Sequence, residues 1–267
     1  MSNGPGATPA YPAILGRENL WGYRKRLRFI LASIARRFPG RAPSSLTVLD
    51  VGCGNGSMIA MPLAHQGYRG TGLDVDAASV EKARELALGL PAVFLCGELA
   101  SLAPHFRGDV VICSEVLEHL DDPAALLDGC EARLAAGGLL IVTVPNGYGP
   151  FEAESYLYGR LRMGRVVEPA RRWLRSRRGE GTLGATENIS CGHRQFFTGR
   201  QLRQMFDACG LRLVNRSGGS LFCGPFSEAA LRWFPWLFSW NAGVTDYLPA
   251  FLHSSWYFAL VRRSDPA

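Results

Sequence analysis

The residues best suited to chemistry fall in four short stretches, each at the end of a predicted strand. The first is Val48-Leu-Asp-Val-Gly-Cys-Gly-Asn-Gly56, where Asp50 precedes glycines at 52, 54 and 56. Glycine reaches backbone angles closed to other residues and carries no side chain, so this turn lets backbone press against a nucleotide-like ligand. The spacing is Gly-x-Gly-x-Gly, with Ser57 where a dinucleotide fingerprint needs its third glycine. The second stretch ends Gly72-Leu-Asp-Val-Asp76. A carboxylate at Asp74, on the tip of the neighbouring strand, can accept hydrogen bonds from both hydroxyls of a ribose. Turn-capping is its competing role. The third is Gly97-Glu98-Leu99, and the fourth is Ser114-Glu-Val-Leu-Glu-His-Leu120. In the fourth, Glu115, Glu118 and His119 stand at i, i+3 and i+4, which predicts one face of one helical turn. His119 is the first candidate general base and His193 the second, the latter competing with a structural histidine beneath an insertion.

Strands and crossover helices must position these stretches. Leu20, Tyr23, Leu27, Ile30 and Ile34 recur at helical spacing and predict a helix over Asn19–Arg37, stopped by Pro39-Gly40. Strands are predicted at Val48–Val51, Arg69–Val75, Ala92–Cys96, Asp109–Cys113, Leu139–Val144, Leu211–Arg216 and Trp256–Arg262. Helices are predicted at Ser57–Gln66, at Ala77–Leu88 behind an Asp76 cap, and at Ala124–Ala135 behind Asp122-Pro123 and closed by Gly137-Gly138. A fourth, Gly199–Ala208, follows a Thr198 cap. Alternation at this rhythm means an α/β fold with a mostly parallel sheet. Four regions result: an N-terminal helical cap (1–45), a core (46–152), an arginine-rich insertion (153–192) and a C-terminal part (193–267) carrying an aromatic insertion (218–254).

Composition bounds the function classes. The chain has 267 residues, enough for one α/β domain with additions, and 47% of them are hydrophobic. Its seven cysteines lie far apart without a Cys-x-x-Cys pair, so neither a disulfide framework nor a cysteine zinc site is indicated. A reduced, cytoplasmic setting fits best. Met1–Pro12 lacks the basic-then-apolar order of a signal peptide, and no apolar run approaches the ~20 residues of a membrane span. Peripheral membrane contact stays open. The net charge of +6 is local: residues 160–178 hold eight arginines and one acid, so the rest of the chain sums to −1.

From Thr47 to about Val144 the ordered motifs resemble class I S-adenosylmethionine (SAM)-dependent methyltransferases. The resemblance implies a Rossmann-like seven-stranded, mostly parallel sheet with helices on both faces and strand seven slotted antiparallel between strands five and six. It implies SAM as cofactor. The implied binding set is Asp50, Gly52, Cys53, Gly54, Gly56, Asp74, Val75, Glu98, Leu99, Ser114 and Glu115, with Glu98 toward the adenine edge. An acid before the glycine turn suits a cofactor whose methionine end carries an ammonium group. The stretch Ser114–Leu120 resembles the small-molecule branch, including ubiquinone-biosynthesis O-methyltransferases. The expectation is therefore O-methylation of a small or lipid-linked acceptor, such as a cell-envelope or secondary metabolite, with an anionic acceptor compatible with the arginines. An RNA methyltransferase using the arginine cluster, and N- or C-methylation, are the alternatives, and nucleic acid is the less favoured partner. His119 as a base needs no metal; in the competing arrangement Glu115, Glu118 and His119 together ligate a divalent ion. The aromatic insertion around Trp233, Trp236, Phe238 and Trp240 is expected to roof the acceptor pocket or touch a lipid surface, against a satellite core as the plain reading.

Overall fold

A computed structural model describes residues 18–161, 194–231, 234 and 236–265. These form a seven-stranded sheet in the order β3-β2-β1-β4-β5-β7-β6. The strands are β1 (Thr47–Val51), β2 (Arg69–Asp74), β3 (Ala92–Cys96), β4 (Gly108–Ser114), β5 (Leu134–Pro145), β6 (Leu211–Gly218) and β7 (Ser255–Arg262). The first five run parallel, and β7 lies antiparallel between β5 and β6. This is the expected Rossmann-like arrangement.

Alternation along the central strands feeds two cores. Leu49, Val111, Cys113, Leu140 and Val142 face one side, where they meet Leu127 of α4 (Pro123–Ala132) and Leu202 and Phe206 of α6 (Gly199–Ala208). Val48, Val110, Ile112 and Ile141 face the other, against Leu27, Ile30 and Ile34 of α1 (Tyr23–Arg37) and Leu63 of α2 (Ala60–His65). Ile30 is fully buried, and each such side chain stabilises the fold by roughly 1.5–3 kcal/mol. The apolar stripe predicted for the leading helix is therefore a packing stripe.

The ends of elements moved for identifiable reasons. The leading helix starts at Tyr23 rather than Asn19, because the Asn19 side chain accepts from the amides of Trp21 and Tyr23 while Glu18 accepts from those of Arg24 and Lys25. The first crossover helix starts at Ala60 rather than Ser57, whose amide and hydroxyl are both taken by the Asn55 side chain. The helix expected to reach Ala135 ends at Ala132, because Leu134 already pairs with Gly108 and Gly137 takes a left-handed turn inside a bulge of β5. The caps held: Asp76 accepts from Ala78 and Ser79 at the start of α3 (Ala77–Leu86), Asp122 accepts from Ala125, and Thr198 forms a capping box with Gln201.

Beyond β5 the chain adds α5 (Pro150–Arg160), α7 (Pro225–Leu231) and α8 (Leu237–Gly243). Leu237 and Phe238 close over Leu20, Phe151, Cys223 and Leu231, so this part of the aromatic insertion is a satellite core. Among the described residues no helix is long and apolar enough to cross a membrane.

Candidate active site

A cavity of about 970 Å³ opens along the C-terminal ends of β1 to β4, where ligands of open α/β sheets bind. Gly52, Asp74, Val75, Glu98, Leu99, Glu115 and His119 all line it, as do Val116 and Leu120. Its far end passes between the Leu99–Ser101 turn and α4, reaching Gly129 and Arg133. The expected binding stretches thus converge on one space although they span 68 residues of chain.

The glycine turn shapes the near wall. Gly52, Gly54 and Gly56 all have positive φ, at 73°, 52° and 73°. A side chain at Gly52 would collide with Val116 across the cavity wall. Gly56 serves packing instead: a Cβ there would lie 2.5 Å from the Phe94 ring, which equally crowds Gly72. The Asp74 carboxylate locks the turn, accepting from Gly54 N at 2.7 Å and from Asp76 N at 2.9 Å. Each oxygen keeps a second lone pair for a ligand.

Asp50 does not line the cavity. It is buried beneath the turn, where it accepts from Ala60 N at 3.2 Å at the start of α2. Burial pushes its carboxyl up to about 7, the Ala60 amide opposes this, and nearby Asp74 adds to it. Cys53, Gly54, Gly56 and Ser114 likewise stand behind the lining rather than in it.

The stretch after β4 departs from its expected shape. Glu115 has φ 55° and its amide extends the sheet ladder to Thr143 O, and only Leu117–His119 forms a single 3-10 turn. The three side chains therefore do not share one helical face. Glu115 and His119 face the cavity, whereas Glu118 is 1% exposed and points into the protein. Among the described residues no three His, Cys, Asp or Glu side chains are grouped to hold a metal ion, which overturns the three-ligand arrangement.

Glu115 is held from behind by a polar network. Thr143 Oγ1 donates to Glu115 Oε1 at 2.8 Å and lies 2.7 Å from Ser114 Oγ. Arg26, reaching over from α1, donates to Ser114 Oγ at 3.1 Å and stands 3.5 Å from Glu115 Oε1. Burial opposes the charge on Arg26, but Glu115 and then Tyr257 outweigh it and raise its pKa. Glu118 is raised to about 9, first by burial and then by the charge of Glu115. Among the described residues its Oε2 has no hydrogen-bond partner, and Oε1 lies 3.9 Å from His119 Nε2. At neutral pH Glu118 is therefore a neutral acid behind the histidine.

His193, Trp233 and all of the arginine cluster except Arg160 lie outside the described residues. None of the described aromatic residues beyond β5 lines the cavity, so the expected roof is not found there. Arg26 and Thr143 were missed. Arg26 sits in a run of basic residues, Arg24 to Arg28, that gives no periodic sign of which one turns inward. Thr143 is one polar residue in an apolar strand, and that exception to the pattern was the available signal.

Residues 21–216 match the methyltransferase domain family. Two curated relatives are ubiquinone biosynthesis O-methyltransferases. The protein from Caulobacter sp. (strain K31) is 35% identical over 130 residues, covering 45% of this chain and 51% of the relative. That from Rhodopseudomonas palustris (strain HaA2) is 31% identical over 128 residues, covering 45% and 50%. The chain thus matches about half the length of these relatives. Among solved structures, magnesium protoporphyrin IX methyltransferase from Synechocystis PCC 6803 with bound SAH is 18% identical, with 97% of this chain and 90% of that one covered at a TM-score of 0.55. The CcbJ methyltransferase from Streptomyces caelestis is 17% identical, with 98% and 94% covered at 0.56. At such identities these two speak for the fold.

Proposed function

Because the chain belongs to the methyltransferase domain family, we propose that it is a SAM-dependent O-methyltransferase of a small hydroxylated acceptor, with His119 as general base. One observation carries this reading: His119 shares a single cavity wall with Glu115 and the Gly52 turn, so a base stands beside the space that fits the cofactor. The names of the curated relatives support a small-molecule hydroxyl as acceptor.

The cavity residues fit SAM. Asp74 would take the ribose hydroxyls, Glu98 the adenine edge with Val75, Leu99 and Val116 against its faces, and Gly52 and Glu115 the methionine end with its ammonium group. When bound, SAM supplies a methyl already activated by its sulfonium. The protein's part is then to align the acceptor oxygen and exclude water, which is proximity catalysis. His119 would accept the proton that the acceptor hydroxyl must lose when it takes up the methyl group. Arg26 and Thr143 fix the Glu115 carboxylate from behind, and neutral Glu118 adds no second negative charge to hold the base.

The test is incubation with methyl-labelled SAM and fractionated extract, following label into small solutes, lipid or RNA. Label in phenolic or other hydroxylated solutes is expected. Label in RNA, with activity falling steeply with salt, would establish the arginine-dependent alternative. His119→Ala is expected to cut turnover by at least ~100-fold with SAM affinity unchanged by calorimetry. Retained turnover would remove His119 from the mechanism.

A further inference from the structure

The cavity is larger than a single cofactor needs. About 300 Å³ already suits a drug-sized ligand, and the whole space is about 970 Å³. Beyond the residues that fit SAM it runs as a gallery between the Leu99–Ser101 turn and α4. Leu126, Gly129, Ala132 and Arg133 recur at helical spacing, so one face of α4 forms a wall of this gallery. Leu127 and Cys130, on the other face, are fully buried in the core. Gly129 sits in the interior of the helix without the positive φ that would require a glycine, where glycine weakens a helix relative to alanine. Its missing side chain keeps the gallery open: a Cβ there would lie 2.9 Å from Leu99 Cδ1 on the facing wall.

The gallery and the cofactor end carry opposite charge. Asp74, Glu98 and Glu115 line the part that fits SAM, whereas Arg107 and Arg133 line the gallery. Among the described residues both guanidiniums are held by backbone carbonyls and not by carboxylates. Arg133 donates to Ala103 O at 2.7 Å, to Leu99 O at 2.9 Å and to Leu102 O, and Arg107 donates to Phe106 O at 2.7 Å and to Pro104 O at 2.8 Å. The guanidinium fork matches a carboxylate, the group that the gallery itself does not supply. Between Leu126 and Arg133 the helix rises about 10 Å, the reach of a medium-length acyl chain. We propose that the gallery is a second ligand site, filled together with the cofactor site, for a medium-chain carboxylate. The chain lies against Leu99, Leu126 and Ala132, and the carboxylate meets Arg107 and Arg133. This goes beyond the proposed reaction and depends neither on His119 nor on the identity of the acceptor.

The test is calorimetric titration of octanoate into the full chain saturated with SAM. Saturable binding is expected, at least ~10-fold tighter than that of butanoate because the longer chain buries more apolar surface. It is expected to be at least ~3-fold tighter than that of octanol, which lacks the charge. Gly129→Leu fills the gallery with a good helix former and is expected to weaken octanoate binding at least ~10-fold. Ala132→Glu, at an exposed position, sets a like charge against the carboxylate. It is expected to weaken octanoate at least ~3-fold, with melting temperature and SAM affinity unchanged. The proposal is overturned if octanoate displaces SAM, which would assign the whole space to the cofactor. It is equally overturned if octanoate shows no saturable binding, or if both variants bind it as wild type. The readout is binding and not turnover, so failure of the proposed reaction and failure of this site are told apart.

Discussion

The parallel half of the sheet, β1 to β4, and the half containing β5, β7 and β6 are held together in different ways. In the first, the bonds that shape the turns at the tips of β1 and β2 are close in sequence: Asp74 to the Gly54 amide spans 20 residues, Asp50 to the Ala60 amide spans 10, and Asp76 caps its own helix. In the second, the bonds reach back to the N-terminus. Lys25 holds Ala242 and Thr245, and Ser220 Oγ donates to Leu20 O at 2.7 Å. The turns at the tips of β1 and β2 are thus local, whereas the other side is closed by bonds between residues 20–25 and residues 220–246. A substitution in the first half is expected to change ligand affinity more than stability, and one in the second half the reverse.

Glu118 sits at the seam, with its backbone carbonyl accepting from the amides of Arg194 and Gln195, and it gives the largest expected effect. Its folded-state pKa of about 9 lies above its usual 4.5, so the unfolded chain releases this proton first as pH rises. The stability it supports is complete below about pH 4.5 and is lost progressively toward pH 9. Glu118→Gln removes that loss. Relative to wild type, the variant is expected to gain on the order of 3 kcal/mol more at pH 8 than at pH 5, at ~1.4 kcal/mol per unit, measured by denaturant titration at both. Equal changes at the two pH values would mean the group is not buried as a neutral acid.

Lys25→Met probes the long-range half directly. It removes two hydrogen bonds from a buried ammonium, for an expected loss of about 2–3 kcal/mol in thermal or urea unfolding. SAM affinity is expected to hold, because none of these partners lines the cavity. Affinity falling in step with stability would erase the distinction between the halves.

Asp74→Ala is the converse. It is expected to weaken SAM binding roughly 10- to 100-fold, the scale of hydrogen bonds to a charged group, with only about 1 kcal/mol lost from the turn. Unchanged affinity by calorimetry would move Asp74 from ligand contact to turn-locking alone. The smallest effect is expected at Thr198→Ala, which breaks the capping box of α6 far from either contact set. A loss of about 1 kcal/mol with turnover untouched is expected, and any change in turnover would show that this helix couples to the site.

The sequence by itself determined the succession of strands and helices, the mostly parallel class of the sheet, and much of the lining of the cavity. Alternating apolar strands and crossover helices leave few chain paths, and glycine, acid and cap residues declare local geometry through their own backbone and hydrogen-bonding preferences. That is why Gly52, Asp74, Val75, Glu98, Leu99, Glu115 and His119 could be named and all line one cavity. Only the tertiary structure decided which groups lie behind that lining. Asp50, expected among the ligand contacts, lies beneath the turn with its carboxylate on the Ala60 amide, because its direction depends on where α2 begins. Glu118 and His119 looked like partners on one face, yet the left-handed turn at Glu115 sends one inward and leaves the other at the cavity. Arg26 joined the site although nothing within its helix distinguishes it from its basic neighbours. Its partners, Ser114 and Glu115, lie nearly ninety residues away, and contacts at that separation are set by the packing of α1 on the sheet, which no local pattern encodes.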